Sequence, residues 1–322
     1  MNNFQNIIDL LRRKKSPQIY HKIYGYINQP CYNNRIAFRN GSSNLYNEFG
    51  ERLEEFFFRD TIWANTPYRM SRYFTWDRYN FGLKTHFYTQ NSMLETVGYP
   101  EKKYGCLVES EGITPHDYEL FKKHKGLQKD FDLIFTHSEK ILNEVENARF
   151  VPFCASLFGS KYAPANQHKF KKKKISICSS HKTNTQLNKY RLELAKLCEK
   201  EKLADTYGTF NGGPFVLIDT TLKDYRYTFC IENIERPLFF TEKIICAFAN
   251  QTIPIYLGAS KIDKFFNPDG IIKITTKTNI PKLVKQLTEE EYQNRLPAIM
   301  ENYEKAKNYI NPWDYMYKNY FK

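Results

Sequence analysis

Beyond residue 174, apolar and polar positions switch between two regular periods. Residues 175–178 form a short apolar run that predicts a buried strand. Residues 186–202 then carry Leu187, Tyr190, Leu194 and Leu197 at helical spacing. Residues 225–231 predict a second strand. Thr241 reads as an N-cap, residues 242–249 as a short helix ending near Asn250, and residues 252–256 as a third strand closed by Gly258. Strand, helix, strand at this spacing is a right-handed βαβ unit. Residues 288–322 read as helical, with breaks near Pro297 and Pro312.

The first half is more mixed. Leu45, Phe49, Leu53, Phe56 and Phe57 lie near helical spacing, so residues 43–58 predict a helix. The runs Cys106-Leu107-Val108 and Leu133-Ile134-Phe135, and residues 150–153, predict short buried strands. Strands separated by helix-like stretches argue for a parallel α/β sheet. Residues 161–174, with Pro164, Asn166, Gln167 and four consecutive lysines from Lys171, read as an interdomain linker or as a solvated loop within one domain. The expected organisation is an N-terminal α/β domain at 1–160, a second α/β domain at 172–300 and a helical tail at 301–322.

Composition narrows the class. At about 150 residues per domain, 322 residues predict two domains, and 41% hydrophobic with 26% charged residues excludes a disordered or fibrous chain. No run approaches about 18 apolar residues, so no membrane-crossing helix is expected, and residues 1–30 lack the apolar core of a secretory signal. The seven cysteines contain no CxxC pair, which supports neither a zinc ribbon nor a disulfide framework and fits a reducing cytoplasm. Forty-eight Lys and Arg against thirty-five Asp and Glu leave +13. That surplus suggests an anionic partner without choosing among nucleic acid, lipid surface and phosphorylated substrate.

In open α/β sheets, ligands bind beyond the carboxyl ends of the strands. Residues 232–240 lie there, with Glu232, Asn233, Glu235 and Arg236, and lead into Thr241-Glu242-Lys243. Free N–H groups at a helix start suit a phosphate. Lys243 opposes the helix dipole, which fits either a ligand-facing cation or a tolerated surface lysine.

These residues also carry a resemblance. Ile231-Glu232-Asn233, Glu242-Lys243-Ile244, the run Thr252 to Gly258 and Phe266-Asn267-Pro268 resemble the signature of family 10 glycosyltransferases, the α-1,3/1,4-fucosyltransferases. The match runs from about Tyr225 to Pro268. Residues 175–208 are similar more loosely, and the first ~150 only in outline. The resemblance implies a GT-B-like α/β fold, two Rossmann-like domains facing across a cleft, with GDP-fucose as donor substrate held by the second and no cofactor required. It implies that Arg191 and Lys243 contact the donor diphosphate, that Glu242 binds the ribose and that Asn233 contacts the donor. Two residues depart from the family pattern, Ile234 in place of Ser and Phe239 in place of Tyr.

Inverting transfer needs a base for the acceptor hydroxyl. The family carries a Glu at the end of an N-domain strand, and the local match is Val108-Glu109-Ser110-Glu111-Gly112, with Glu109 first and Glu111 second. Like-charge repulsion within that pair would raise one pKa; two exposed loop acids is the plainer reading. Asp130-Phe131-Asp132 precedes its apolar run and reads as a strand start, and the seven histidines show no ligand spacing, so no metal is expected. The aromatic segment 69–88 (Arg72, Tyr73, Phe74, Trp76, Tyr79, Phe81, His86, Phe87) suits sugar stacking or core packing. The basic-aromatic tail 313–322 suits an anionic membrane surface or a solvated helix end. The leading expectation is a glycosyltransferase with a nucleotide sugar and a cell-surface glycan (lipopolysaccharide or capsule type) as partners, cytoplasmic and peripheral on the inner membrane face. The alternatives are a relative using another nucleotide sugar, a catalytically retired scaffold, and a basic nucleic-acid binder; no nucleic-acid-binding motif supports the last.

Overall fold

A computed structural model describes residues 46, 50–59, 71–77, 80–157 and 160–321. Leu45, Phe49, Arg69 and Tyr79, together with Cys31 and His21, lie outside the described residues. The chain divides into two compact units, 1–151 with 313–322, and 152–312.

The first unit holds six parallel strands: β1 (Glu54–Arg59), β2 (Phe74–Asp77), β3 (Thr85–Thr89), β4 (Lys102–Leu107), β5 (Leu133–Thr136) and β6 (Ala148–Phe150), in the order β2-β1-β3-β4-β5-β6. The segment expected as a helix up to residue 58 is therefore β1 over its last residues. Three consecutive phenylalanines suit a strand buried on both faces, the condition of an all-parallel sheet. Phe56 and Phe58 project to one face and meet Phe74, Trp76 and Phe87; Phe57 projects to the other, among Tyr88, Met93, Leu107 and Ile134. Two short helices, α1 (Leu120–Lys123) and α2 (Glu139–Glu144), lie between β4 and β6. The aromatic segment is thus largely core. His86 is fully buried between the Tyr88 hydroxyl and the Leu83 carbonyl, and burial pushes its pKa down to about 4.

The second unit holds β7 (Lys173–Cys178), β8 (Asp205–Tyr207), β9 (Tyr225–Ile231), β10 (Ile253–Leu257) and β11 (Ile272–Lys273), all parallel, ordered β11-β10-β9-β7-β8. Its main helices are α3 (Gln186–Glu201), α4 (Glu242–Ala249), α5 (Ile280–Gln286) and α6 (Glu289–Ala306). Both sheets share one winding pattern, with the second strand outside the first and the third on its other side. Each unit is Rossmann-like, and each has a switch point where ligands gather.

Three boundaries differ from expectation. The expected linker at 161–174 is integral to the second unit. Lys171 is 6% exposed, its Nζ donating to the Leu222 carbonyl and to Thr252 Oγ1 at 2.8 Å each, and Lys173 and Lys174 open β7. The division falls at Val151/Pro152 instead. Helix α6 continues through Pro297, held by Thr288 at its N-cap and by buried Ala298 and Ile299 beyond the proline. The expected tail at 301–322 splits: α6 ends in the second unit, while α7 (Pro312–Tyr320) returns from residue 313 to the first. Trp313 is 1% exposed, 5.0 Å from Trp76 and 5.8 Å from Phe58 by ring centroid, and Asp314 accepts from Ser71 Oγ and Arg72 N. Much of the tail's aromatic surface is core of the first unit.

Trp313→Ala should therefore destabilise by about 3–5 kcal/mol, read as a lower urea midpoint. Lys171 supplies a pH test. Burial pushes its pKa down to about 7, whereas the unfolded lysine titrates near 10.5. Between those values the unfolded chain binds more protons, so this group makes stability rise with pH. Lys171→Met removes that component, and the melting temperature of the wild type relative to the variant should climb from pH 7 to pH 10.

Candidate functional site

At the carboxyl ends of β7 and β9, the switch point of the second sheet, lies a cavity of about 220 Å³. Its walls come from the end of β7 and the turn after it (Cys178, Ser179, Ser180), from Arg191 on α3, from the loop after β8 and from the first turn of α4.

The charged wall is assembled by one carboxylate. Glu232 follows β9 and is fully buried; its Oε1 accepts from Thr241 N at 2.9 Å and its Oε2 from Thr241 Oγ1 at 2.7 Å. Thr241 caps α4 by accepting from Lys243 N at 3.3 Å. The strand end and the helix start are thereby tied together, and the room is provided by Gly258, where a Cβ would overlap the Glu232 side chain and the Tyr256 hydroxyl. Lys243 Nζ lies 3.4 Å from Glu232 Oε2, 3.1 Å from Thr241 Oγ1 and 3.0 Å from Glu242 Oε1. Its side chain remains 23% exposed toward the cavity, and that of Glu242 32%.

The titration directions follow. Burial opposes the Lys243 charge, but Glu242 and Glu232 outweigh it and hold the pKa above the ordinary lysine value. Burial lifts the Glu232 carboxyl, with Lys243 opposing. Glu242 is held below the ordinary value because, against burial, the Lys243 ammonium and its hydrogen bonds prevail. Lys243 thus stays charged at neutral pH.

Arg191 forms the second cationic wall. It is 9% exposed, and its guanidinium is hung from the end of β9 by Nη1 to the Ile231 carbonyl (3.1 Å) and from its own helix by Nη2 to Asn188 Oδ1 (3.2 Å). Its Nε, buried beside the cavity, has no hydrogen-bond partner. A buried, unpartnered guanidinium N–H costs free energy unless something binds it. Burial lowers the Arg191 pKa somewhat, with Glu242 and Glu232 opposing.

The opposite side is apolar. Gly208 has φ 96°, and a Cβ there would overlap the Ser179 carbonyl, so only glycine lets the chain after β8 cross the β7 turn. Beyond it, Phe215 and Val216 line the cavity while Phe215 stays 79% exposed and its neighbour Leu217 61%. These two lining residues were not singled out from the sequence; the signal is the Gly212-Gly213-Pro214 break before an apolar pair.

Of the sequence-derived residues, Arg191, Glu242 and Lys243 are brought together on this cavity, whereas Asn233 is half-buried beyond Glu232 and does not line it. Phe239, in place of the family tyrosine, is 1% exposed in the core. Asp205 opens β8 and accepts from Lys173 Nζ and Tyr225 OH, away from the cavity wall. Glu109 and Glu111 belong to the first unit, half-buried in the turn after β4, and Glu109 Oε1 accepts from Ser110 N at 2.7 Å. Asp132 accepts from Lys103 N and Lys102 Nζ, closing the entry to β5. Among the described residues no group of three His, Cys, Asp or Glu is arranged to hold a metal, the cysteines are free, and no helix is long and apolar enough to cross a membrane.

Comparison with known proteins falls on this region. Residues 168–311 match the model of the glycosyltransferase family 10 (fucosyltransferase) C-terminal region. An alpha-(1,3)-fucosyltransferase FucT of Helicobacter pylori is 29% identical over 99 residues, covering 30% of this chain and 20% of that protein, so the match spans about a fifth of the relative's length. In fold, the chain is similar to an alpha1,3-fucosyltransferase crystallised with GDP, at TM-score 0.50 and 13% identity over 85% of this chain and 96% of that one. Another alpha1,3-fucosyltransferase structure gives 0.48 and 15% over 82% and 86%. The β9–α4 clamp, Arg191 and the cavity they line all fall inside the matched segment, so the part of the second unit that builds this site is similar to the C-terminal region of glycosyltransferase family 10.

Proposed function

We propose that this protein is an inverting glycosyltransferase that moves fucose from GDP-fucose onto a hydroxyl of a cell-surface glycan of lipopolysaccharide or capsule type. The observation that carries the reading is the buried Arg191 Nε, without a partner, beside a Lys243 ammonium held ready by two carboxylates, both on a switch-point cavity inside the family 10 segment. The diphosphate sits against these cations, and the Glu242 carboxylate accepts hydrogen bonds from the ribose hydroxyls. Asn233, half-buried beyond Glu232, lies off the cavity and is given no donor contact in this scheme. The acceptor hydroxyl attacks the anomeric carbon; the new C–O bond forms as the bond to the phosphate oxygen breaks, and the acceptor proton passes to Glu109, with Glu111 as the second candidate. Charge growing on departing GDP is stabilised by Arg191 and Lys243, so no step in this scheme is assigned to a metal. The +13 surplus favours a cytoplasmic protein peripheral on an anionic membrane.

GDP should raise the melting temperature where UDP and CMP at equal concentration do not. Stabilisation only by an oligonucleotide, with steep salt dependence, would replace this reading by the nucleic-acid-binding one. Lys243→Ala should weaken GDP binding about ten- to a hundredfold, the loss expected for one charged hydrogen-bond partner; calorimetric titration measures it. Glu109→Ala should slow GDP release from GDP-fucose by about 10²–10⁴-fold while leaving GDP affinity within about twofold. An unchanged rate would move the base to Glu111.

A further inference from the structure

Two glutamines occupy left-handed backbone, Gln90 at φ 50° and Gln251 at φ 55°, a region that side-chain-bearing residues seldom adopt. Both are buried, and both turn the side-chain amide onto neighbouring segments. They differ in which end of their sheet they serve. Gln251 precedes β10 and ties down residues 164–168 through the Pro164 carbonyl and His168 N, at the amino-terminal edge. Gln90 follows β3, at the carboxyl edge beside the β1/β3 switch point, where such sheets present their chemistry.

Every hydrogen-bonding position of the Gln90 amide is filled. Oε1 accepts from Val108 N and from Glu109 N (3.2 Å); Nε2 donates to Thr114 Oγ1 (2.9 Å) and to Asp117 Oδ2 (2.7 Å). The amide is a crosspiece joining the end of β3, the turn that bears Glu109 and the segment 114–117. On the far side, the Tyr118 hydroxyl donates to the Glu109 carbonyl and lies 3.0 Å from His137 Nε2. The backbone N–H and C=O of Glu109 are therefore both pinned. If only the turn shape mattered, glycine would supply it without strain; glutamine adds the crosspiece at a cost in backbone strain.

We propose that Gln90 is a positioning residue for Glu109: it fixes the backbone at that residue and so aims the carboxylate that takes the acceptor proton. The proposal rests on the reading of Glu109 as the base. Gln90→Gly is the informative variant, because it keeps the left-handed turn, relieves its strain and deletes the amide. With the full chain, GDP-fucose as donor and water as acceptor, GDP release by Gln90→Gly should fall about ten- to a hundredfold, with KM for GDP-fucose and the Kd for GDP within about twofold. Its pH–rate profile should lose or shift the acid limb, and Gln90→Gly added to Glu109→Ala should cause no further loss. Should Gln90→Gly fail to fold, Gln90→Asn, which tolerates the left-handed region but is one methylene too short for the crosspiece, carries the same expectations. A wild-type rate in either variant, or a loss that persists undiminished in the Glu109→Ala background, overturns the proposal. A wild-type rate for Glu109→Ala itself removes the base reading and the proposal with it, whereas loss of GDP binding by the wild type overturns the donor site alone.

Discussion

The second unit is organised around the buried carboxylate of Glu232. One side chain accepts the N–H and hydroxyl of Thr241, which caps α4, and faces the ammonium of Lys243. A buried carboxylate is costly unless bonded on both oxygens, and here the bonds also set the geometry. They bring a strand end and a helix start together, turn Lys243 against the dipole of its own helix and leave that cation open to the cavity. Arg191 is hung from the carbonyl of Ile231, the residue just before Glu232, so both cations are referenced to the same point of the sheet. In the proposed function the cavity is pre-formed for an anion, because its positive groups are held by the protein's own carboxylates and carbonyl.

The same economy explains the rest of the charge. The net +13 suggests a diffuse basic surface, yet several lysines are structural. Lys171 is buried on the Leu222 carbonyl and Thr252, Lys103 lies over the rings of Tyr88 and Phe131, and Lys174 caps the Val284 carbonyl. These cations serve as anchors for chain segments. In the first unit, neutral amides do similar work through Gln90.

Much of the second unit was legible in the sequence because its elements are short and sharply bounded. Strand β9 occupies the residues expected, Thr241 is the N-cap and α4 spans Glu242–Ala249. Arg191, Glu242 and Lys243 were readable from the motif, and the structure adds that they share one cavity. Other features were hidden for physical reasons. Phe56, Phe57 and Phe58 satisfy a helical pattern and a two-faced strand equally well, and only the neighbouring strands decide between them. The lysine run looks like a solvated linker because sequence does not disclose a carbonyl waiting for Lys171 Nζ. Trp313 resembles part of a sticky tail because its partners, Phe58 and Trp76, lie more than two hundred residues upstream. Gln90 carries no signal, since a left-handed φ is visible only in coordinates.

The central claim is that Glu232 organises an anion site without touching the anion. The direct measurement is calorimetric titration of GDP into wild type and Glu232→Gln, an isosteric change that removes the charge facing Lys243 and turns one acceptor of Thr241 into a donor. The account predicts a folded variant whose GDP affinity falls about tenfold or more, in line with loss of the Lys243 contact. GDP affinity equal to that of the wild type in a folded Glu232→Gln protein would contradict it.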